Sequence, residues 1–486
     1  MKRRTFLKQA LCSAGALGLM TCQPDRMQTK NVLFIAIDDL NDWTGCMGGH
    51  PHALTPNIDE LARRGTLFSN AHCQAPICGP SRASVMTGLL PSTTGIYGQI
   101  DDNDIRDSHA STRDCIFLPD YFKQNGYKTM GIGKLFHHHA PDGVFDVSGG
   151  RARGFGPKPE KHMNWEGKSG PQHGGTSTDW GPFPEQDEEM PDYESAQWAK
   201  DRLAEQHDQP FFLGVGFLRP HVPWHVPKKW FDLHPPDELE MPPYLPDDME
   251  DIPDIGRRIA DLPMMPTTEW AIETGEWKYI VQAYLACVSF VDHYVGVVLD
   301  ALEKSPYAQN TTVILWSDHG YHIGEKNRFG KHSVWEEATR APLILSDPEF
   351  QIPQVCTKPV GMIDMYPTLL DLCGLEPNPQ NQGHSLVPLL QNPECSWPHI
   401  ALTTYGRNNH GIRSEQYRYI RYEDGSEELY DHRHDDNEWY NVAGKPEYQD
   451  IKQSLKQKLP AVNETWAPTC RYDYNRYFIE QRKRES

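Results

Sequence analysis

Unbroken apolar runs alternate with amphipathic stretches along most of this chain. Asn31–Ile37 (NVLFIAI) has no polar residue after its first, and such a run reads as a strand buried on both faces, as in a parallel sheet. Tyr127–Gly131, Phe211–Phe217, Thr311–Trp316 and Pro342–Leu345 predict further strands. Helical patterns fall between them. In Thr55–Gly65, Thr55 is the cap, Pro56 the first position, Arg63 and Arg64 the last turn and Gly65 the exit. Ile58, Leu61 and Ala62 share one face of that helix. Leu118–Asn125, Ser195–His207 and Met362–Cys373 also read as helices. Lys278–Leu302 is a long one, with Tyr284, Cys287, Val288, Val291, Val295 and Leu299 at three-four spacing. Cys78–Thr87 is shorter, with Pro80 in its first turn and Gly88 as its stop.

This alternation over residues 31–375 predicts an α/β fold around a largely parallel sheet. After about residue 400 the texture changes. Ile412–Tyr422 and Glu427–Tyr430, joined through Asp424-Gly425, predict an antiparallel hairpin, and a helix follows over 447–459. The expected division is therefore an α/β domain over 30–400 and a small α+β subdomain with an antiparallel sheet over 401–486. Residues 141–190 and 234–254 show no sustained period, are rich in proline and charge, and read as surface excursions.

The first 22 residues stand outside this scheme. Lys2, Arg3, Arg4 and Lys8 form a basic start, and Leu11–Met20 is apolar but too short to span a bilayer. The arginine pair before Phe6-Leu7-Lys8 resembles a bacterial twin-arginine export signal. Leu19-Met20-Thr21-Cys22 resembles a lipobox, in which Cys22 would be lipidated. The expectation is an exported bacterial protein, periplasmic or at the cell surface, whose only membrane attachment would be a lipid anchor. Removing residues 1–22 takes the formal charge from -20 to -24. So acidic a body argues against nucleic acid as a partner, and an anionic substrate would need a local basic pocket. The 11 cysteines show neither a disulfide framework nor a zinc pattern, and their pairing stays open.

Chemistry gathers where the strands end. Asp38-Asp39 follows the first strand, Lys134 and His137 the second, Arg219 and His221 the third, and Asp318-His319 the fourth. Those carboxyl ends form one edge of one sheet, where open α/β sheets place ligands. Adjacent carboxylates there would repel unless a cation neutralised them. Cys78 opens its helix with Arg82 one turn on, an arrangement that favours a thiolate, whereas the surrounding carboxylates oppose one.

Five segments now point to a family: NVLFIAIDDL (31–40), APICGPSR (75–82), GKLFH (133–137), RPHVP (219–223) and SDHG (317–320). Together, in order, they resemble the type I sulfatases of the alkaline-phosphatase superfamily, and they are most similar to the iduronate-2-sulfatase branch. The resemblance implies that fold, a large mixed, mostly parallel sheet sandwiched by helices. It implies that a formylglycine-generating maturation enzyme oxidises Cys78, within C-x-P-S-R, to formylglycine (3-oxoalanine), whose hydrate attacks sulfur. Asp38, Asp39 and Asp318, with residue 78 and His319, would hold one divalent cation, Ca²⁺ in preference to Mg²⁺. His319 stands where many sulfatases have Asn, which leaves a hydrogen bond to sulfate or nucleophile as its other role. Arg82, Lys134 and Lys331 would supply positive charge, His221 would be the general acid, and His137 would help deprotonate the hydrate.

The implied substrate is a sulfated carbohydrate, such as an algal glycan or a glycosaminoglycan carrying a 2-O-sulfate. Arg219, Trp224, His221, Lys134, Lys331 and the region of Asp101-Asp102-Asn103 are the expected contacts. Two alternatives stay open. One is a phosphomonoester, phosphodiester or phosphonate-ester hydrolase of the same superfamily; the other is a non-catalytic glycan-binding protein.

Overall fold

The computed structural model describes residues 30–167, 176–471 and 475–485. The export-signal and lipobox readings over 1–22 fall outside the described residues.

The main sheet has eight strands: β1 (Asn31–Ile37), β2 (Thr66–Phe68), β3 (Lys128–Gly133), β4 (Val147–Gly150), β5 (Phe211–Gly216), β6 (Thr311–Ser317), β7 (Leu343–Ser346) and β8 (Gln354–Cys356). Their order is β8-β2-β7-β6-β1-β5-β3-β4. β1 lies near the centre and pairs in parallel with β5 and β6, Ile35 opposite Val215 on one side and Leu315 on the other. Only β7 runs antiparallel to its neighbours, so the sheet is mixed and mostly parallel.

The unbroken apolar character of β1 has a direct cause: both its faces are covered. Val32, Phe34 and Ala36 point into one core, where Phe34 packs 5.5 Å from Phe212 and 5.4 Å from Trp316. That side is closed by α2 (Cys78–Thr87), α3 (Leu118–Gln124) and α6 (Met365–Leu372). Leu33, Ile35 and Ile37 point the other way, against α1 (Pro56–Arg64), α4 (Pro191–Ala204) and α5 (Trp277–Glu303). The helix expected over 195–207 starts earlier, because Pro191 is favoured in the first turn.

The C-terminal sheet differs from its expectation. Ile412–Tyr422 is not one strand but two, β10 (His410–Arg413) and β11 (Tyr417–Arg421), reversed through Ser414–Gln416. No glycine or proline marks this turn. Ser414 makes it instead, its Oγ accepting from the Tyr417 amide at 3.1 Å. With β9 (Ala401–Thr404) and β12 (Glu427–Asp431) they form a four-stranded antiparallel sheet. The Asp424-Gly425 hairpin joins β11 and β12 as expected. α7 (Gln449–Lys456) packs beside that sheet, and α8 (Arg476–Glu485) returns to the main body.

The sheet is fused to its neighbour. Tyr405, Ile420, Tyr422 and Tyr430 share the core that holds Val32 and Phe34. Beside them, buried Glu336 lies 3.0 Å from Arg413 and also meets Arg418, while Arg418 reaches Glu438 at 2.6 Å.

Candidate active site

Each strand of the central group ends in one functional segment. β1 delivers Asp38-Asp39, β3 Lys134, β5 the turn carrying His221, and β6 Asp318-His319. Cys78 opens α2 beside them, and Lys331 arrives on the loop between β6 and β7. Gly216 makes this convergence possible. A Cβ there would sit 2.3 Å from the Lys134 backbone, so only glycine lets β5 pass the end of β3 this closely.

Asp39 is in the left-handed region (φ 64°), which costs a non-glycine residue energy. Its surroundings impose that conformation. The Asp39 amide donates to Asp318 Oδ1 at 3.2 Å and the Leu40 amide to Ser317 Oγ at 3.0 Å. Tyr284 of α5 donates its hydroxyl to the Asp39 carbonyl at 2.8 Å and accepts from the Asn41 amide at 2.9 Å.

The carboxylates share a set of cations. Lys134 bonds Asp38, and Arg82 bridges Asp318 Oδ2 at 2.8 Å to Asp38 Oδ1 at 3.5 Å. Lys331 Nζ lies 2.5 Å from Asp39 Oδ1 and 3.1 Å from Cys78 Sγ. All these groups are buried. Burial pushes Asp38 upward, yet Lys134, His221 and Arg82 together bring it well below the usual carboxylate range. For Asp39 and Asp318 burial prevails over Lys331 and Arg82, and both are raised. Burial, helped by Asp38, raises the Cys78 thiol above its ordinary value against Lys134 and Lys331. The helix N-terminus therefore does not make Cys78 a thiolate here.

The donor set suits a hard cation. Asp39 Oδ2 is buried with no hydrogen-bond partner. His319 Nδ1 lies 3.0 Å from the Gly320 carbonyl, which makes it the donor and leaves the Nε2 lone pair facing inward. That lone pair stands 3.4 Å from Asp39 Oδ1, 3.5 Å from Asp318 Oδ1 and 3.3 Å from Cys78 Sγ. Burial, then Lys331, holds His319 well below the usual imidazole value, so the ring is neutral. A lone pair facing two carboxylates is repulsive unless a positive charge lies between them. Asp38, Cys78, Asp318 and His319 offer ligand atoms all within 4.8 Å of one another, as do Asp38, Asp39, Cys78 and His221.

His221 reaches this cluster with Nδ1 held 2.6 Å from the Val222 carbonyl and Nε2 left for the pocket. His137 is buried behind Lys134. Its ring lies 4.1 Å from that of His138, its Nδ1 has no partner, and it is not among the hydrogen-bonding neighbours of Cys78.

Two expected sugar contacts are corrected. Arg219 is fully buried, and its guanidinium donates to the His225 and His221 carbonyls at 3.0 Å, bracing the turn that carries His221. Trp224 is fully buried too, packed edge-on against Tyr284 and Tyr321. Arg219 Nη2 and Trp224 Nε1 are left buried without hydrogen-bond partners. Asp102 is likewise internal, accepting the backbone amides of His137, His138 and His139 at 3.1, 2.6 and 3.1 Å. The sequence reading missed Tyr284, whose helical spacing marked it as core, and Phe155, which lies in the aperiodic excursion. The Phe155 ring is 5.7 Å from both the His221 ring and Lys134 Nζ.

The metal-receptive carboxylate cluster thus lies at the carboxyl edge of the sheet, beside a helix-opening cysteine. Residues 30–375 match the sulfatase family, and residues 324–465 match the C-terminal region of N-sulphoglucosamine sulphohydrolase. The chain belongs to the sulfatase family. It is 51% identical to a sulfatase of Formosa agariphila over 498 residues, covering 100% of this chain and 97% of that one. It is 32% identical to human iduronate 2-sulfatase over 431 residues, covering 81% and 76%. A solved structure in complex with its substrate, D-glucosamine-2-N,6-O-disulfate, shares the fold with a TM-score of 0.70 at 22% identity, covering 89% and 97%. The nine described cysteines are all free.

Proposed function

We propose that this sulfatase is exported and hydrolyses sulfate monoesters of a sulfated carbohydrate, an algal glycan or a glycosaminoglycan oligosaccharide with a 2-O-sulfate. The similarity to iduronate 2-sulfatase and the cation-lined pocket support this reading. The observation that carries it is Cys78, buried with its Sγ 3.1 Å from Lys331 Nζ, 3.3 Å from His319 Nε2 and 3.9 Å from Asp39 Oδ1. Cys78 is read as the precursor of formylglycine made by a maturation enzyme. Once present, that aldehyde supplies through its hydrate an oxygen nucleophile that can later expel sulfate, and a divalent cation, Ca²⁺ by ligand hardness, supplies Lewis acidity.

Asp38, Asp39, Asp318 and His319 would hold the cation, and Arg82 fixes the angle between Asp38 and Asp318. Lys134 and Lys331 face the nucleophile's position and stabilise charge on the sulfuryl oxygens. His221, with Nδ1 on the Val222 carbonyl, turns Nε2 toward the pocket and, once protonated there, would pass that proton to the leaving sugar oxygen. His137, its Nδ1 buried without a partner, would help deprotonate the hydrate.

The test is ion-chromatographic sulfate release across defined sulfated oligosaccharides, with matched phosphate esters in parallel. The wild type is expected to release sulfate from at least one sugar, and Cys78→Ala to lose about a thousandfold or more in kcat. Faster turnover of the phosphate esters would favour the phosphoester alternative. Equal rates for wild type and Cys78→Ala would leave only glycan binding.

A further inference from the structure

Arg151 is 9% exposed, and no carboxylate forms an ion pair with it among the described residues. Among the described residues it makes no hydrogen bond or ion pair, and its Nη2 is fully enclosed without a partner. A buried, unpaired guanidinium is expensive, and arginine cannot escape by losing its proton. Asp38, Asp192 and Asp102 act on it through space, but none is paired with it. Asp38 serves Lys134 and Arg82, Asp102 accepts three backbone amides, and Asp192 accepts those of Leu218 and Arg219 through Oδ1, while its buried Oδ2 has no hydrogen-bond partner and no ion pair with Arg151.

The position of Arg151 gives this charge a use. Its guanidinium lies 5.3 Å from the centre of the Phe155 ring, and that same half-buried ring is 5.7 Å from Lys134 Nζ and from the His221 imidazole. Arg151 also borders a cavity of about 210 Å³ next to the end of β3, lined by Gly133, Leu135, His139 and Asp142. The Phe155 ring thus links the enclosed Arg151 cation to Lys134 and His221 of the site.

We propose that Arg151 determines specificity by taking a second anionic group of the sugar, a carboxylate or a further sulfate ester, beside the sulfate being cleaved. Both groups present the paired oxygens that a guanidinium fork matches. This inference rests on the sulfated-carbohydrate reading above, and binding can test it without turnover.

The experiment compares Cys78→Ala protein with the Cys78→Ala, Arg151→Gln double variant by calorimetry. The probes are a disaccharide with one sulfate and one uronate carboxylate, its carboxyl-reduced analogue, and neutral sugars with one or two sulfates. Loss of a charged hydrogen-bonded contact predicts about 10- to 100-fold weaker binding of a doubly anionic probe. If that loss vanishes on the carboxyl-reduced analogue, the group is the carboxylate. If it appears on the doubly but not the singly sulfated neutral sugar, the group is a sulfate ester. Equal affinities of the two proteins for every probe, or no binding of any probe, would overturn the proposal. A thermal melt guards against misfolding, since relieving an unpaired buried charge should leave the Tm equal or higher. Failure of the sulfatase reading would show separately, as absent sulfate release by wild type.

Discussion

At the scale of single residues, the site has more negative charge than its hydrogen bonds satisfy. Asp39 is the clearest case: one oxygen meets Lys331 and the other, buried, meets nothing. His319 Nε2, 3.3 Å from Cys78 Sγ, faces the same space, and a cation there would satisfy the free Asp39 oxygen. Ca²⁺ is therefore expected to stabilise the protein by ~2.7 kcal/mol at a hundredfold excess over its Kd, with Mg²⁺ weaker. Thermal melts across a Ca²⁺ titration check this. In Asp39→Asn the stabilisation should fall sharply, and a response equal to wild type would place the cation elsewhere. Corrections also belong to this scale. Arg219 and Trp224 were expected to face a sugar because the family resemblance places sugar contacts in the variable loops. Spacing along a chain fixes where a residue leaves the sheet but not whether its side chain turns inward, and both turn inward.

Elements explain why those residues meet. α5 does more than cover the sheet: through Tyr284 it holds the Asp39–Asn41 turn from below. Tyr284→Phe should cost about 1–3 kcal/mol, since the buried Asn41 amide loses its acceptor. It should also lower kcat by loosening Asp39. Chemical denaturation and steady-state kinetics would read both effects, and an unchanged kcat would show that β1 and β6 fix Asp39 without help. The strands and long helices were legible because burial on two faces or one writes a plain period into the sequence. Asp38-Asp39, Lys134, His221 and Asp318-His319 were legible because they follow such strands. Tyr284 was not, since a hydroxyl among core residues at helical spacing looks like any buried tyrosine. Neither was Arg151, whose aperiodic segment gives no sign of which side chains turn inward. The Ser414 turn escaped because its hydrogen bond depends on a side chain that leaves no break in the pattern.

For the molecule as a whole, acid should be destabilising. His234 and His410 are enclosed, and burial holds both down to about 4. In the unfolded chain they titrate near 6.5, so between those values the unfolded state binds protons that the native state refuses. Their contribution is intact above about pH 6.5 and is lost as pH falls toward 4, by as much as ~3 kcal/mol each. His234→Gln, which can keep the bond to Ser289, should flatten the fall in stability across that window when unfolding is followed at a series of pH values. An unaltered slope would mean that His234 is not held neutral. The fused C-terminal sheet places its own buried charges, Arg418 with Glu336 and Glu438, against the domain that carries the site. The site groups converge on one position, Cys78, which we propose is the precursor of an oxygen nucleophile. The most direct measurement is therefore a comparison of preparations made with graded amounts of a formylglycine-generating enzyme. Mass spectrometry gives the fraction of Cys78 converted to aldehyde, and sulfate release gives the rate. The rate should rise in proportion to that fraction and pass through zero for unconverted protein. Full activity in protein whose Cys78 remains a thiol would contradict it.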